Sequence, residues 1–186
     1  MTDLSDYSGK LEPEFRHDTF TRETLFKLLN TYAAYMIRVD GLWYETVMNK
    51  WGNEAALDCD HKIHQRAKPY EIETLSEIMN IKGNDVAALM KALQIGPWVR
   101  HVELEIDLRS DNYAIYTARS CPSVLTLEKE GNGREQSICL EACLVGARVM
   151  ASHFNPNIEI TTIKLPPRNS PDDICCRWEI KLEPAS

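Results

Sequence analysis

The sequence lacks the features that mark several broad protein classes. It contains no cluster of basic residues, and its formal net charge of −7 argues against a nucleic-acid or anionic-membrane partner. The first residues, MTDLSDYSGKLEPEF, have no apolar segment behind a basic start, so we expect no signal peptide. No apolar run approaches the length of a membrane span. We therefore predict a cytoplasmic protein that binds neither nucleic acids nor membranes.

The sequence also lacks the compact motifs of common catalytic and metal sites. It has no CxxC pair and no compact Cys-His-Asp signature. Its glycine-rich stretch GNGRE lacks the spacing of a phosphate-binding loop. There is no internal repeat and no low-complexity segment. Any functional site must therefore be assembled by the fold from separate parts of the chain.

The first half of the chain has the hydrophobic period of helices. Apolar residues recur at helical spacing through residues 21–39. We predict that Asp40 and Gly41 break this helix and separate it from a short second one. A third helix over 54–68 should end or bend at Pro69. Two more helical segments follow, so the first half is predicted to be entirely helical.

The second half changes to the period of strands. Its first strand places charged residues on one face and four apolar residues on the other. The apolar residues are Val102, Leu104, Ile106 and Leu108. A second strand follows after a turn, then a strongly apolar helix over about 136–154, and then two more strands. This order predicts a ββαββ unit, with an antiparallel sheet packed on the long helix.

The length of 186 residues suits one domain with a full hydrophobic core. We predict a flexible segment over 1–20 and a single α+β domain over 21–186. Its helical half, 21–96, should pack on the sheet-and-helix half, 97–186.

Four of the six cysteines are predicted to meet. Cys139 and Cys143 are four residues apart, hence on one face of the long helix. On the last strand, Cys176 alternates with Cys175, so Cys176 should point inward and Cys175 toward the polar face. Cys121 ends the second strand, and the following connection should bring it back over the same sheet.

Three interpretations of these thiols remain open from the residues alone. Cys121, Cys139, Cys143 and Cys176 could hold zinc or an iron–sulfur cluster, since thiolates are ligands for both. Free cysteines are also among the most frequently buried residues and could simply fill the core. One of them could instead be a reactive thiol.

The helical half contains two further candidate sites. His61 and His64 lie three residues apart near Asp58 and Asp60, which suits a metal pair but also a solvated helix face. Cys59 is expected to be a core filler. Large apolar side chains could line a ligand pocket between the helices and the sheet, although core packing is the more frequent explanation for such residues. The candidate pocket residues are Met36, Trp43, Tyr44 and Trp178.

The second half resembles the 4-vinyl-reductase domain family. The resemblance rests on the helix stretch ACLVG, residues 142–146, and on Cys176-Arg177-Trp178 of the last strand. It implies a small-molecule-binding domain with the fold of nitric-oxide-signalling and Golgi-transport ligand-binding proteins. The C-terminal layout is also similar to that of L-2-amino-thiazoline-4-carboxylic acid hydrolase proteins.

The whole chain resembles an uncharacterised family of bacterial and archaeal "cytosolic proteins", through residues 38–60, 121–135 and 165–178. That family brings no established activity.

The resemblance to the 4-vinyl-reductase family implies a zinc site with one departure. In metal-binding members, a helix cysteine, a Glu-x-x-Cys on the penultimate strand and a final cysteine hold zinc. Cys143 or Cys139 matches the first ligand and Cys176 the last. The Glu-x-x-Cys is missing, since residues 165–168 read LPPR at that place. The site is therefore lost, or rebuilt with Cys121 and the second helix cysteine.

These observations lead to three functional hypotheses. The first is a domain that binds a small apolar or heterocyclic molecule and carries a cysteine-rich zinc site, with an iron–sulfur cluster as the alternative metal. The second is a hydrolase of a small cyclic amide or thiazoline-like substrate, with a cysteine nucleophile and His61, His64 or His153 as base. The third is a dimeric structural protein, and a homodimer is a possible partner arrangement. The sequence does not decide whether the protein is an enzyme.

Overall fold

The computed structural model describes residues 4–183 and has an α+β fold. Within those residues it contains five helices and one four-stranded antiparallel sheet. The helices are α1 (Arg22–Trp51), α2 (Asn53–Ile78), α3 (Val86–Ile95), α4 (Pro122–Glu130) and α5 (Glu135–Phe154). The strands are β1 (Glu103–Ser110), β2 (Tyr113–Ser120), β3 (Ile158–Lys164) and β4 (Cys176–Leu182). The predicted fold class is confirmed.

The sheet has the strand order β1-β2-β4-β3, and all its neighbours are antiparallel. On the central strand β4, buried residues alternate with half-buried ones, as a strand with one covered face requires. Its buried residues Cys176, Trp178 and Ile180 join the main core, together with residues of α3 and α5. The sheet therefore presents one face to the helices, and Cys176 points inward as predicted.

The predicted helix break at Asp40 and Gly41 is wrong, because α1 runs unbroken for 30 residues. Glycine in a helix interior costs only about 1 kcal/mol. Buried contacts on both sides of Gly41 offset that cost, since Ala33 lies before it and Tyr44 after it. Tertiary packing therefore outweighs the local preference.

Pro69 does not end α2, which continues to Ile78, and a bend at this proline stays a prediction. The proline is exposed, so its ring meets solvent, and it removes one backbone donor. Beyond it, Ile72 is completely buried in the main core. That anchor holds the last two turns of the helix in place.

The segment before α1 makes local contacts in the described part of the chain. Leu4 pairs with Phe20 in a parallel bridge, and Phe20 is buried. Tyr7 and Phe15 pack their rings against it. The flexibility that we predict for residues 1–20 stays a prediction.

Helix α5 corrects one expectation about apolar length. By length and composition it meets the requirements for a membrane span, although the sequence reading found no such run. In the fold, its residues Ala147, Met150 and Ala151 are buried in the core between the sheet and the other helices. The structure is compatible with a soluble protein.

Candidate functional site

The helix that carries two of the candidate cysteines is not a regular α-helix. Residues Cys139–Cys143 form a π-turn, in which the Leu144 N–H donates to the Cys139 carbonyl five residues back. Single π-turns are rare inside α-helices and occur frequently at functional sites. The sequence predicted the helix but gave no signal for this turn.

The four candidate cysteines lie in one region of the structure. Cys139 and Cys176 are buried, Cys121 is half-buried and Cys143 is exposed. They are close enough that the charge on one affects the pKa of the next: Cys143 and Cys121 both raise the pKa of Cys176. The phenol of Tyr116 faces the same group, since all four cysteines raise its pKa. The fold therefore assembles these thiols from three separate elements.

Cys143 differs from the other three thiols in its acidity. Its pKa is lowered, chiefly because the Cys139 thiol hydrogen-bonds to it, and the nearby Lys68 ammonium acts in the same direction. Burial and the negative charge of Asp60 oppose this shift without reversing it. The pKa of Cys139 is raised by the same hydrogen bond. Cys143 is thus the thiol of this group that most readily becomes a thiolate.

The remaining two thiols of the group favour the protonated form. Burial raises the pKa of Cys176 to about 12, and burial also raises the pKa of Cys121. Burial disfavours the charged form of any acid. At neutral pH these side chains therefore behave as neutral, apolar groups.

Cys143 is exposed but lies close to other protein groups. The surrounding protein desolvates the thiol enough to oppose its ionisation. One turn later, Gly146 lies against the Lys68 side chain: a β-carbon there would be in ordinary van der Waals contact, 3.4 Å from Lys68 Cε. The lysine therefore packs on α5 close to the thiol.

A buried polar cluster on α2 lies near Cys143, since the charges of Asp60 and Lys68 act on the pKa of that thiol. We use that name for Asp60, His64 and Lys68, which are spaced four residues apart and are all buried. His64 Nε2 lies 3.5 Å from Asp60 Oδ1. Lys68 Nζ donates to Glu71 Oε2 at 2.7 Å, and Trp98 Nε1 donates to the same oxygen. Three charged or polar side chains thus occupy helix positions that packing would normally fill with apolar ones.

Two atoms of the cluster have no hydrogen-bond partner. They are Asp60 Oδ2 and His64 Nδ1, and both are buried. Buried polar atoms in native proteins almost always have a partner, so each such atom requires an explanation. A polar ligand or a buried water would supply such a partner.

Burial shifts the pKa of each side chain in the cluster in the direction that favours its neutral form. It raises the pKa of Asp60 to about 6, with help from the negative charge of Asp40. It lowers the pKa of His64 to about 4, and the positive charges of Lys68 and His61 act in the same direction. The pKa of the Lys68 ammonium is also lowered, again mainly by burial. Perturbed acids and bases beside a thiolate are typical of catalytic sites.

The structure separates the residues of the predicted histidine and aspartate site. Asp60 and His64 lie together in the buried cluster, whereas Asp58 is exposed and pairs with Lys62 at 2.6 Å. His61 is half-buried, and its Nε2 has no partner. His153 is exposed and lies ten residues beyond Cys143 on the same helix.

The role of Lys68 was missed by the sequence analysis, although a signal existed. Asp60, His64 and Lys68 lie on the same helical stripe as Ala56 and Ile72, which are fully buried. Polar residues in line with core residues indicate a buried polar site. Cys59, the expected core filler, packs against a small second core around α1 and α2.

An open cavity of about 280 Å³ lies beside α1. The predicted pocket residues Met36 and Trp43 line it, together with Asp40 and Trp98. Tyr44 and Trp178 are not among its lining residues. Tyr44 is buried and donates to Asn53 Oδ1 at 2.8 Å. The cavity therefore adjoins the buried cluster through Asp40, whose charge acts on Asp60.

Trp178, the fourth predicted pocket residue, is buried in the main core. It stacks on Tyr116 with ring centroids 5.4 Å apart, and its indole N–H has no partner. A larger cavity of about 400 Å³ runs along β3, where Arg148 and Thr161 are among its lining residues. It contains none of the cysteines.

The prediction that Cys175 faces the polar side of the last strand is wrong. Its side chain is 0% exposed. Strand β4 begins only at Cys176, and the Cys175 N–H donates to the Ala118 carbonyl at 2.9 Å. The pKa of Cys175 is raised by burial, and Arg168 and Glu128 influence it electrostatically. Cys175 is therefore a buried thiol of the main core.

The thiols do not form a ready-made metal site. Within residues 4–183, no group of three or more His, Cys, Asp or Glu side chains is arranged to hold a metal ion. The four cysteines approach one another without the convergent geometry of a closed tetrahedral site. Zinc and an iron–sulfur cluster stay predictions.

Comparison with known proteins gives one match. The model of a family of unknown function (DUF6125) matches residues 18–182. No curated protein and no solved structure matches. These comparisons agree with the resemblance to an uncharacterised family and give no support to the 4-vinyl-reductase and amino-thiazoline hydrolase relationships.

Proposed function

The chain belongs to this family of unknown function, DUF6125, so its activity must be argued from its own residues, and we propose that it is a small-molecule-binding protein that acts through the Cys143 thiolate. The observation that carries this proposal is the pairing of Cys139 with Cys143. One thiol donates and the other accepts, so that the exposed member has the lowered pKa. An accessible thiolate beside perturbed acids and bases is the usual arrangement of a cysteine nucleophile.

The neighbouring groups have the acidity that such chemistry needs. Lys68 stabilises the thiolate by its charge, and its own lowered pKa makes its ammonium a better proton donor than an ordinary lysine. Asp60, with a pKa of about 6, is mostly ionised at neutral pH and can accept a proton. A base with a pKa near the working pH is the most effective kind.

With these roles, the site can hydrolyse a small cyclic amide in two steps. Cys143 Sγ bonds to the carbonyl carbon, the ring C–N bond breaks, and Lys68 gives a proton to the departing nitrogen. Water then attacks the resulting thioester while Asp60 takes its proton, which passes back to Lys68. The products are a carboxylic acid and an amine, and the thiolate is restored. A thiazoline ring offers a similar electrophilic carbon.

Two linked measurements test this proposal. Substoichiometric iodoacetamide followed by peptide mapping should label Cys143 before the other five cysteines. A panel of small lactams and thiazolines, followed by mass spectrometry, should give ring-opened products with the natural chain and none with Cys143→Ser. Cys59→Ser, a half-buried cysteine outside the group, is the matched control and should leave both results unchanged. Faster labelling of another thiol, or turnover by Cys143→Ser, would contradict the proposal.

A four-thiolate metal site is the second candidate, because the fold brings Cys121, Cys139, Cys143 and Cys176 into one region. Its support is this convergence alone, and a metal would have to draw the thiols closer. Elemental analysis of anaerobically purified protein separates the candidates. About one zinc per chain, lost in Cys176→Ala, would favour the metal site. Metal-free protein with a rapidly alkylated Cys143 would favour the nucleophile.

A further inference from the structure

Helix α1 exposes an apolar face that the rest of residues 4–183 leaves largely uncovered. Soluble monomers rarely expose a large continuous apolar patch. The exposed large apolar residues of α1 are Leu25, Phe26, Leu29, Tyr32, Tyr35, Val39, Leu42, Trp43 and Trp51. Its opposite face packs on α2 through Ala33, Tyr44 and Val47. The exposed face therefore needs a partner of its own.

The spacing on this face is that of a coiled-coil seam. Six residues alternate at intervals of three and four, the a and d positions of a heptad repeat. We call them the α1 seam: Leu25, Leu28, Tyr32, Tyr35, Val39 and Leu42, of which all are exposed except the half-buried Leu28. The interval pattern 3-4-3-4-3 reads the same in both directions. Two antiparallel copies would therefore place Leu25 against Leu42, Leu28 against Val39 and Tyr32 against Tyr35.

We propose that the α1 seam pairs with the α1 seam of a second copy of this chain in an antiparallel, two-fold symmetric dimer. A closed two-fold interface requires one surface that is complementary to itself, and the palindromic spacing supplies it. Since α1 and α2 already form a helical hairpin, two copies would build a four-helix bundle. The charged residues Lys27, Arg38 and Glu45 lie outside the seam.

The exposed area is close to what such a dimer needs. Large aromatic side chains bury roughly 150–250 Å² when fully covered, so the six seam residues and the flanking Trp43 offer roughly 600–700 Å² per copy. Stable interfaces bury about 800 Å² per partner. The interface would also use the neighbouring exposed residues of α2, such as Ile63.

The pairing would change the open cavity beside α1. Val39 belongs to the seam, and Met36 and Trp43 flank it, while all three line the cavity of about 280 Å³. A second copy of α1 would lie across the mouth of that cavity and close it. The inference is independent of the chemistry proposed for Cys143, because it rests on a different helix face.

The test is the mass of the protein in solution, measured by light scattering after gel filtration. The natural chain should be a dimer at micromolar concentration. Tyr35→Glu should be a folded monomer, because the side chain is 66% exposed and the change should not disturb the subunit. Tyr70→Glu, at an equally exposed tyrosine of α2 outside the seam, should remain a dimer. Circular dichroism confirms that each variant is folded.

A charge-pair rescue tests the antiparallel register. In that register residue 32 of one copy faces residue 35 of the other, so the double change Tyr32→Lys and Tyr35→Glu should restore the dimer. A parallel pairing would place like charges together and stay monomeric. A monomeric natural chain, a dimer that Tyr35→Glu leaves intact, or a monomer that binds phosphatidylcholine vesicles through this face would each overturn the inference.

Discussion

Cys139 and Cys143 have the same chemistry but opposite properties, because one donates the hydrogen bond that the other accepts. The donor keeps its proton and lies in the core, whereas the acceptor is exposed and more acidic. A hydrogen bond to the charged form is one of the three causes that shift a pKa. The sequence predicted that both thiols share a helix face. It could not predict which would be exposed, because that depends on the π-turn between them.

Asp60 and His64 should give opposite pH dependences of stability. The pKa of Asp60 is raised to about 6, so its contribution is fully present below about pH 4 and is lost as the pH rises through 6. The pKa of His64 is lowered to about 4, so its contribution is present above pH 6.5 and is lost as the pH falls through 4. The two effects oppose each other in the same window.

Single substitutions should expose each slope. The free energy of unfolding of Asp60→Asn, relative to that of the natural chain, should rise by about 2 to 3 kcal/mol between pH 4 and pH 7, because the variant lacks a carboxylate that is costly to ionise. The free energy of unfolding of His64→Gln, relative to that of the natural chain, should fall by a similar amount over the same pH range. Urea unfolding at several pH values measures both. Two parallel slopes would show that these side chains are solvated rather than buried.

At the scale of elements, the hydrophobic periods predicted the strands and α3 and α5 well, because those elements present one regular face to one core. The predicted break at Asp40 and Gly41 was wrong, and α2 does not end at Pro69, for a common reason. Each is a local breaker within a helix that buried residues hold on both sides. Local preference predicts a break, and packing against a neighbouring helix overrides it.

The π-turn should be removable without loss of the fold. A π-turn contains one residue more than an α-turn, so deletion of Leu140 should leave the flanking α-helical segments in register. The thiols of Cys139 and Cys143 would then be three residues apart, and the pKa of Cys143 should rise toward its usual value. Circular dichroism and alkylation kinetics measure the two effects.

Deletion of Val149 is the control, because it lies in the regular part of α5 and would rotate every following buried residue by about 100°. That variant should unfold. If deletion of Leu140 unfolds the chain equally, the π-turn is required for packing and is not a separate device of the site.

Pro69→Ala should stabilise the protein. The proline removes one hydrogen bond from the interior of α2, which costs about 3 kcal/mol in a free helix. The alanine variant should therefore gain about 1 to 3 kcal/mol in urea unfolding at fixed protein concentration. Tyr70→Ala, at the next exposed position, should change stability by less than about 0.5 kcal/mol. A loss of stability in Pro69→Ala would show that the proline's shape is needed in the folded chain.

At the scale of the whole molecule, the α+β architecture followed from the sequence because its two halves have different hydrophobic periods. The site did not follow, since Cys143 and Lys68 are 75 positions apart and meet only when α2 packs on α5. Convergence of four cysteines could be argued from topology. The buried polar cluster could not, because its residues look like those of any solvated helix until packing is known.

A dimer through the α1 seam should make thermal stability depend on concentration. Association stabilises the folded state by mass action, so the melting temperature should rise as the protein concentration increases. Tyr35→Glu should melt at a temperature that does not change with concentration, and Tyr70→Glu should behave like the natural chain. A concentration-independent melting temperature of the natural chain would indicate a stable monomer.

The most direct measurement is the pH dependence of the alkylation rate of Cys143. The rate follows the thiolate fraction, so its midpoint should lie below the usual thiol pKa of about 8.5. In Cys139→Ala, which removes the donated hydrogen bond, the midpoint should move upward. Cys59→Ser should leave it unchanged. A midpoint for Cys143 at or above the usual value, or one that Cys139→Ala does not move, would contradict a thiolate stabilised at this position.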